Sequence, residues 1–230
     1  MSEFAPRTVL FDLDDTLYDF ATTSKAALEV VSARIESDLG IPVSETKDAY
    51  RRLLHEMMER NTTAGCHSRT IRFQLFLEER RLPLQLAPVY NDVYWNALLD
   101  RIVPFEGLPE ALDRLRARNI RIGLGTNMTA DWQIRKLDRL GIIDRFDFIV
   151  SSEEAAVEKP SPDFFRYCAA KAGCAPSDCL FIGDNLVADV GGARAAGMRA
   201  LWFQPRPEKR AANPDEPFLA TYVGFPESAL

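Results

Sequence analysis

The feature that most constrains the fold is a change of rhythm along the chain. Residues 8–13, TVLFDL, form a short apolar run rich in strand formers, which predicts a buried strand. From about Phe20 to Arg101 the spacing turns helical. Periodic stretches at 24–39, 45–60, 69–80 and 87–99 are separated by Gly40, Pro42, Gly65 and Pro83. From Pro104 onward helices and strands alternate: helix 108–118, strand 120–126, helix 130–140, strand 146–150, helix 161–172, strand 179–183, helix 188–196, strand 198–203. Such alternation, with nearly continuous apolar strands, predicts an α/β fold whose parallel sheet is covered on both faces. The expected division is an α/β core of residues 1–17 and 102–230 interrupted by an all-helical domain at 18–101. A polar, Pro-rich stretch at 204–217 precedes a last run at 220–223, expected as an edge strand.

Composition narrows the function classes. At 230 residues and 47% hydrophobic, the chain can build its own core without a metal or disulfide staple. No run approaches the ~20 apolar residues of a membrane span, so no membrane partner is expected. Residues Met1 to Pro6 carry neither a basic region nor an apolar one, so a cytoplasmic location is expected. The balance of 28 basic against 34 acidic residues, net -6, disfavours a nucleic acid polymer as partner. Cys66, Cys168, Cys174 and Cys179 show no CxxC spacing and read as reduced structural thiols.

In a sheet of this kind, functional groups gather where the strands end. After the first strand comes Asp12-Leu13-Asp14-Asp15-Thr16, after the second Thr126-Asn127. Near the third lies Glu158-Lys159-Pro160, and after the fourth Gly183-Asp184-Asn185, with Asp189 five residues beyond Asp184. Asp12, Asp14 and Asp184 would crowd one site and could not all stay ionised without a cation. Oxygen-only ligands favour a hard ion, and Mg²⁺ is the expected cofactor. Lys159, Thr126 and Asn127 would supply groups that bind an anion. A carboxylate attacking phosphorus needs this charge screening, because both partners are anionic.

The segments FDLDDTLYD, GTN, EKPSPDFF and GDNLVADVGGARAAGM, in this order, resemble the four motifs of the haloacid dehalogenase superfamily. The helical block resembles the C1-type cap of subfamily I in size, position and helicity. The resemblance implies a Rossmann-like core with an inserted helical cap and places the chain on the phosphatase branch. It implies Asp12 as the nucleophile that forms an aspartyl-phosphate. It implies Asp14 as the acid that protonates the leaving oxygen and then the base that activates water. Asp12, Asp14 and Asp184 would hold the metal, Asp14 through its backbone carbonyl, with Asp189 in an outer position. Thr126, Asn127 and Lys159 would bind phosphate, with Thr126 and Lys159 also in the catalytic set, and Thr16 would be structural. The implied function is a Mg²⁺-dependent phosphomonoester phosphatase acting on a small phosphorylated metabolite, a nucleotide or a sugar phosphate. The alternatives are a phosphosugar mutase of the same family, a 2-haloacid dehalogenase, which the acid at position 14 argues against, and an idle ligand-binding relative, which the intact motif set argues against.

The helical block carries less specific signals. His55 and His67 read as surface or packing histidines. Arg51, Arg52, Arg60, Arg69, Arg72, Arg80 and Arg81 read as solvated helix faces, with the alternative that one or two reach an anionic substrate group. Loop 61–68 and the segment from Tyr18 to Thr23 are candidate selectivity elements. Phe20, Tyr90, Tyr94 and Trp95 could stack on a ring, but the helical spacing around Tyr94 favours core packing.

Overall fold

The computed structural model describes residues 5–60 and 64–226. The chain divides into two compact units, Met1–Asp19 with Val103–Leu230, and Phe20–Ile102.

The second unit is helical. It contains α1 (Phe20–Leu39), α2 (Val43–Arg60), α3 (Arg69–Glu79) and α4 (Leu86–Leu99). An aromatic cluster fills its centre, with Tyr50 stacked on Tyr94 at 6.1 Å and Tyr94 edge-on to Trp95 at 5.3 Å. Tyr90, Tyr94 and Trp95 are therefore core residues. The arginines divide. Arg51, Arg52, Arg60 and Arg81 lie in solvent, but Arg69 and Arg72 are buried, which corrects the expectation of solvated faces for that pair. The Arg69 guanidinium lies 4.8 Å from the Trp95 ring and that of Arg72 4.5 Å from the Tyr50 ring. Aromatic faces give a buried guanidinium an attractive surface, which helical periodicity alone does not reveal. His55 is exposed and His67 half-buried. Of loop 61–68, residues 61–63 lie outside the described residues.

The first unit is the α/β body. Its strands β1 (Thr8–Phe11), β2 (Arg121–Thr126), β3 (Phe148–Ser151), β4 (Cys179–Gly183), β5 (Arg199–Phe203) and β6 (Phe218–Leu219) are all parallel, in the order β3-β2-β1-β4-β5-β6. Around them run α5 (Leu108–Ala117), α6 (Ala130–Arg139), α7 (Ser152–Ala155), α8 (Pro162–Ala172), α9 (Gly192–Ala195) and α10 (Pro207–Ala211). Leu10, Val150, Phe164, Phe165 and Phe181 pack between sheet and helices. The order reverses at β1. The chain first builds outward through β2 and β3, then returns to lay β4 on the other side. Phe11 pairs in register with both Leu124 and Ile182, so the segments following β1, β2 and β4 leave the sheet together. A crevice at such a reversal is where an open α/β sheet binds its ligand.

Three differences from the sequence reading have local causes. The edge strand expected at 220–223 is absent, and β6 is two residues long at Phe218–Leu219. Tyr222 turns inward instead, with its ring stacked on Phe203 at 4.7 Å. The helix expected at 188–196 starts earlier, as a π-helical turn at Leu186–Gly191 leading into α9. The Asn185 side chain caps it by accepting from the N–H groups of Val187 and Ala188. The short helices α7 and α10 were not foreseen. Ser151 caps α7 by accepting from the Glu154 N–H, and Pro207 opens α10 inside the polar stretch. Cys66, Cys168, Cys174 and Cys179 are free thiols. Among the described residues no helix is long and apolar enough to cross a membrane.

Candidate active site

Asp12 is the first residue beyond β1, and its N–H donates to the Ile182 carbonyl at 2.8 Å, so the sheet fixes its backbone. The following turn is tight. The Leu17 N–H reaches back to the Leu13 carbonyl at 2.9 Å, and Asp15 sits at φ 60°, a left-handed conformation that aspartate tolerates better than most residues. Tyr222 braces the same turn from the far end of the chain, its hydroxyl donating to the Thr16 carbonyl at 3.0 Å.

Lys159 lies at the centre. Its ammonium donates to Asp12 Oδ1 at 2.6 Å, to Asp189 Oδ1 at 2.7 Å and to the Gly125 carbonyl at 3.1 Å. Three donors meet three acceptors, which is what a buried ammonium needs. Burial works against its charge, but Asp12 and Asp189 outweigh that and hold its pKa above the usual lysine range. Asp12 Oδ2 accepts a long contact of 3.4 Å from the Thr16 hydroxyl.

Asp12, Asp184 and Asp189 form one cluster, each offering a carboxylate oxygen within 4.8 Å of the others. Burial pushes Asp12 up to about 7, against the pull of Lys159. Burial and the repulsion of Asp12 and Asp189 push Asp184 up to about 8. The arrangement therefore holds more negative charge than Lys159 offsets, and its donors are all oxygens, which fits a hard dication. Asp189 is turned inward, with Oδ1 on Lys159 and Oδ2 accepting from the Asn185 N–H at 2.9 Å. Gly183 makes room for it, since a Cβ there would lie 2.4 Å from the Asp189 carboxyl. The indole N–H of Trp202 holds the Asp184 carbonyl at 2.7 Å. Beside Asp184 opens a cleft of about 60 Å³ lined by Asp15, Asp19, Phe105, Arg206 and Lys209 among others.

Asp14 is placed apart from that cluster. Its carboxylate is gripped by Lys136, whose Nζ lies 2.8 and 2.9 Å from the two oxygens, and by the Tyr18 hydroxyl at 2.6 Å. Thr126, at the end of β2, is buried, and its hydroxyl oxygen accepts from the Gln133 amide at 2.5 Å. The Asn127 side chain engages the Lys159 backbone in two hydrogen bonds.

Sequence reasoning missed Gln133 and Lys136. Both lie on the buried face of α6 together with Leu137. The signal was available: residues spaced i, i+3 and i+4 share a helix face, so a glutamine and a lysine stood in the inward stripe.

The chain matches the family described as haloacid dehalogenase-like hydrolase over residues 6–197. It is 32% identical over 210 residues to the ribulose-1,5-bisphosphate 5-phosphatase of Halopiger xanaduensis, covering 89% of this chain and 87% of that protein. It is 31% identical over 195 residues to the glyceraldehyde 3-phosphate phosphatase of Methanothermobacter thermautotrophicus, covering 85% and 84%. Among solved structures, the 2-haloacid dehalogenase of Pseudomonas syringae superposes with a TM-score of 0.78 at 26% identity, over 97% of both chains. The protein therefore belongs to the haloacid dehalogenase-like hydrolases, on the side of the family where these curated relatives are phosphatases.

Proposed function

We propose that the protein is a phosphatase that hydrolyses a small phosphorylated metabolite, a sugar phosphate or a nucleotide, by way of a phosphoryl group carried on Asp12. The observation that carries this reading is the asymmetric setting of the Asp12 carboxylate. Lys159 holds Oδ1 at 2.6 Å, while Oδ2 has the long Thr16 contact alone among the described residues and is left as the attacking atom. The sugar-phosphate names of the two curated relatives support the substrate class.

The residues divide the work. Asp12 Oδ2 attacks phosphorus as the bond to the leaving oxygen breaks. Asp14, protonated, gives its proton to that oxygen. As a carboxylate it then takes a proton from water, whose oxygen attacks phosphorus, and the bond to Asp12 breaks to release phosphate and restore the nucleophile. Thr126 supports the phosphoryl oxygens, because its oxygen already accepts from Gln133 and its hydroxyl proton is free to be donated. Lys159 has its protons committed and contributes through its positive charge. The carboxylates of Asp12 and Asp184 and the carbonyl of Asp14 would hold Mg²⁺, with Asp189 fixing Lys159 behind them. When bound, the ion offsets the charge of these carboxylates and of the phosphoryl group. The helical unit Phe20–Ile102 is the part of the chain proposed to act as a cap and select the leaving group. A cytoplasmic setting belongs to the same reading.

The test is hydrolysis of a panel of sugar phosphates and nucleotides, with Mg²⁺ and with EDTA, by the wild type and by Asp12→Asn. Metal-dependent phosphate release that the substitution abolishes is the expected result. Normal release from a folded Asp12→Asn variant overturns the reading.

A further inference from the structure

The Asp14 carboxylate is held by two side chains that the reaction sequence above leaves without a task. Lys136 comes from the last turn of α6 and is fully buried. A lysine sheathed in protein is costly unless its ammonium meets an anion, and here it meets both oxygens of Asp14, at 2.8 and 2.9 Å. The Tyr18 hydroxyl adds a third hydrogen bond, to Oδ1 at 2.6 Å, and the Tyr18 ring lies 6.0 Å from the same ammonium. The carboxylate is thus pinned from two directions. Oδ1 accepts from both donors, whereas Oδ2 accepts from Lys136 alone among the hydrogen bonds to Asp14, so Oδ2 is the oxygen with room for a proton.

We propose that Lys136 is a positioning residue for proton transfer. It locks the Asp14 carboxyl so that Oδ2 faces the leaving oxygen, and Tyr18 assists. This rests on the reading of Asp14 as the acid. The transfer itself is unchanged: the proton on Asp14 Oδ2 passes to the leaving oxygen as the phosphorus–oxygen bond breaks, and Lys136 keeps its own protons throughout. Lys136 acts on geometry, and its effect should appear where the leaving group needs a proton.

Leaving-group dependence is a readout that a merely structural role would not move. p-Nitrophenyl phosphate expels an anion stable enough to leave unprotonated, whereas a primary alkyl phosphate must have its alkoxide protonated. The quantity to measure is kcat/KM, which covers the steps through leaving-group departure, for both substrates with wild type, Asp14→Asn, Lys136→Met and Tyr18→Phe. Asp14→Asn is expected to lose on the order of 10² or more on the alkyl phosphate relative to p-nitrophenyl phosphate. Lys136→Met is expected to lose about tenfold more on the alkyl phosphate than on the aryl one, with Tyr18→Phe in the same direction and smaller. Tyr18→Phe keeps the ring and serves if the lysine variant does not fold. Equal losses on both substrates for Lys136→Met and Tyr18→Phe, with Asp14→Asn still selective, overturn the role of Lys136. If Asp14→Asn is itself unselective, Asp14 is not the acid and the inference falls with that assignment.

Discussion

The Asn127 side chain binds the backbone of Lys159 from both ends: Nδ2 donates to the carbonyl at 3.0 Å, and Oδ1 accepts from the N–H at 2.9 Å. The loop after β2 and the loop after β3 and α7 are thereby joined by one amide. The lysine whose ammonium reaches Asp12 is set in place by the side chain of Asn127.

Asn127→Ala should therefore damage catalysis through Lys159. Two hydrogen bonds are lost, worth about 1–3 kcal/mol in all. Thermal melting should show that cost while the far-ultraviolet circular dichroism stays unchanged, and kcat should fall by about tenfold or more as the Lys159 loop loosens. An unchanged kcat would show that the clamp is idle.

Gly183 is fixed by the carboxyl behind it. A Cβ at this position would meet the Asp189 carboxyl at 2.4 Å, far inside contact distance. Gly183→Ala should push Asp189 off Lys159 and the Asn185 N–H, leaving buried charges badly paired. The expected outcome is a lower melting temperature together with a large loss of turnover, read from thermal melts and initial rates. A variant with wild-type rates would contradict the packing described here.

Acid and metal should oppose each other at the carboxylate cluster. Burial raises Asp12 to about 7 and Asp184 to about 8, above their unfolded values near 3.8. Between those limits the native protein binds more protons than the unfolded chain, so metal-free stability falls as pH rises through that window. A dication binds the deprotonated form. The increase in melting temperature on adding Mg²⁺ should therefore be small near pH 5 and grow toward pH 8. A shift independent of pH would count against these carboxylates as the ligands.

The C-terminal segment should matter to a turn far from it in sequence. Tyr222→Phe keeps the stack on Phe203 but leaves the Thr16 carbonyl without its donor. Because both groups are buried, the cost should be about 1–3 kcal/mol in denaturant unfolding. A variant as stable as wild type would show that the turn does not depend on this brace.

Much of this was legible in the sequence, for identifiable reasons. Continuous apolar runs located β1, β2 and β4, which are buried on both faces, and period-3.6 patterns located α1 to α6, all within a few residues. The acidic strand ends were legible because the fold class says where to look, and Asp12, Lys159, Asp184 and Asp189 do converge. Side-chain direction was not legible. Nothing in GTN says that Asn127 turns toward Lys159, and nothing in LDDT says that the Asp14 carboxylate is held by Lys136. The burial of Arg69 and Arg72 was likewise hidden, because aromatic partners on other helices compensate it. The tail was misread because the inward turn of Tyr222 depends on Phe203 and Thr16, both remote in sequence.

The most direct measurement is capture of the intermediate. The enzyme would be mixed with a turned-over sugar phosphate and Mg²⁺, quenched in acid within the first turnovers and digested for mass spectrometry. The account predicts that the peptide containing Asp12 appears one phosphoryl group heavier, that the added mass maps to Asp12, and that Asp12→Asn never carries it. Rapid phosphate release with Asp12 unmodified at every quench time, or with the phosphoryl group on another residue, would contradict it.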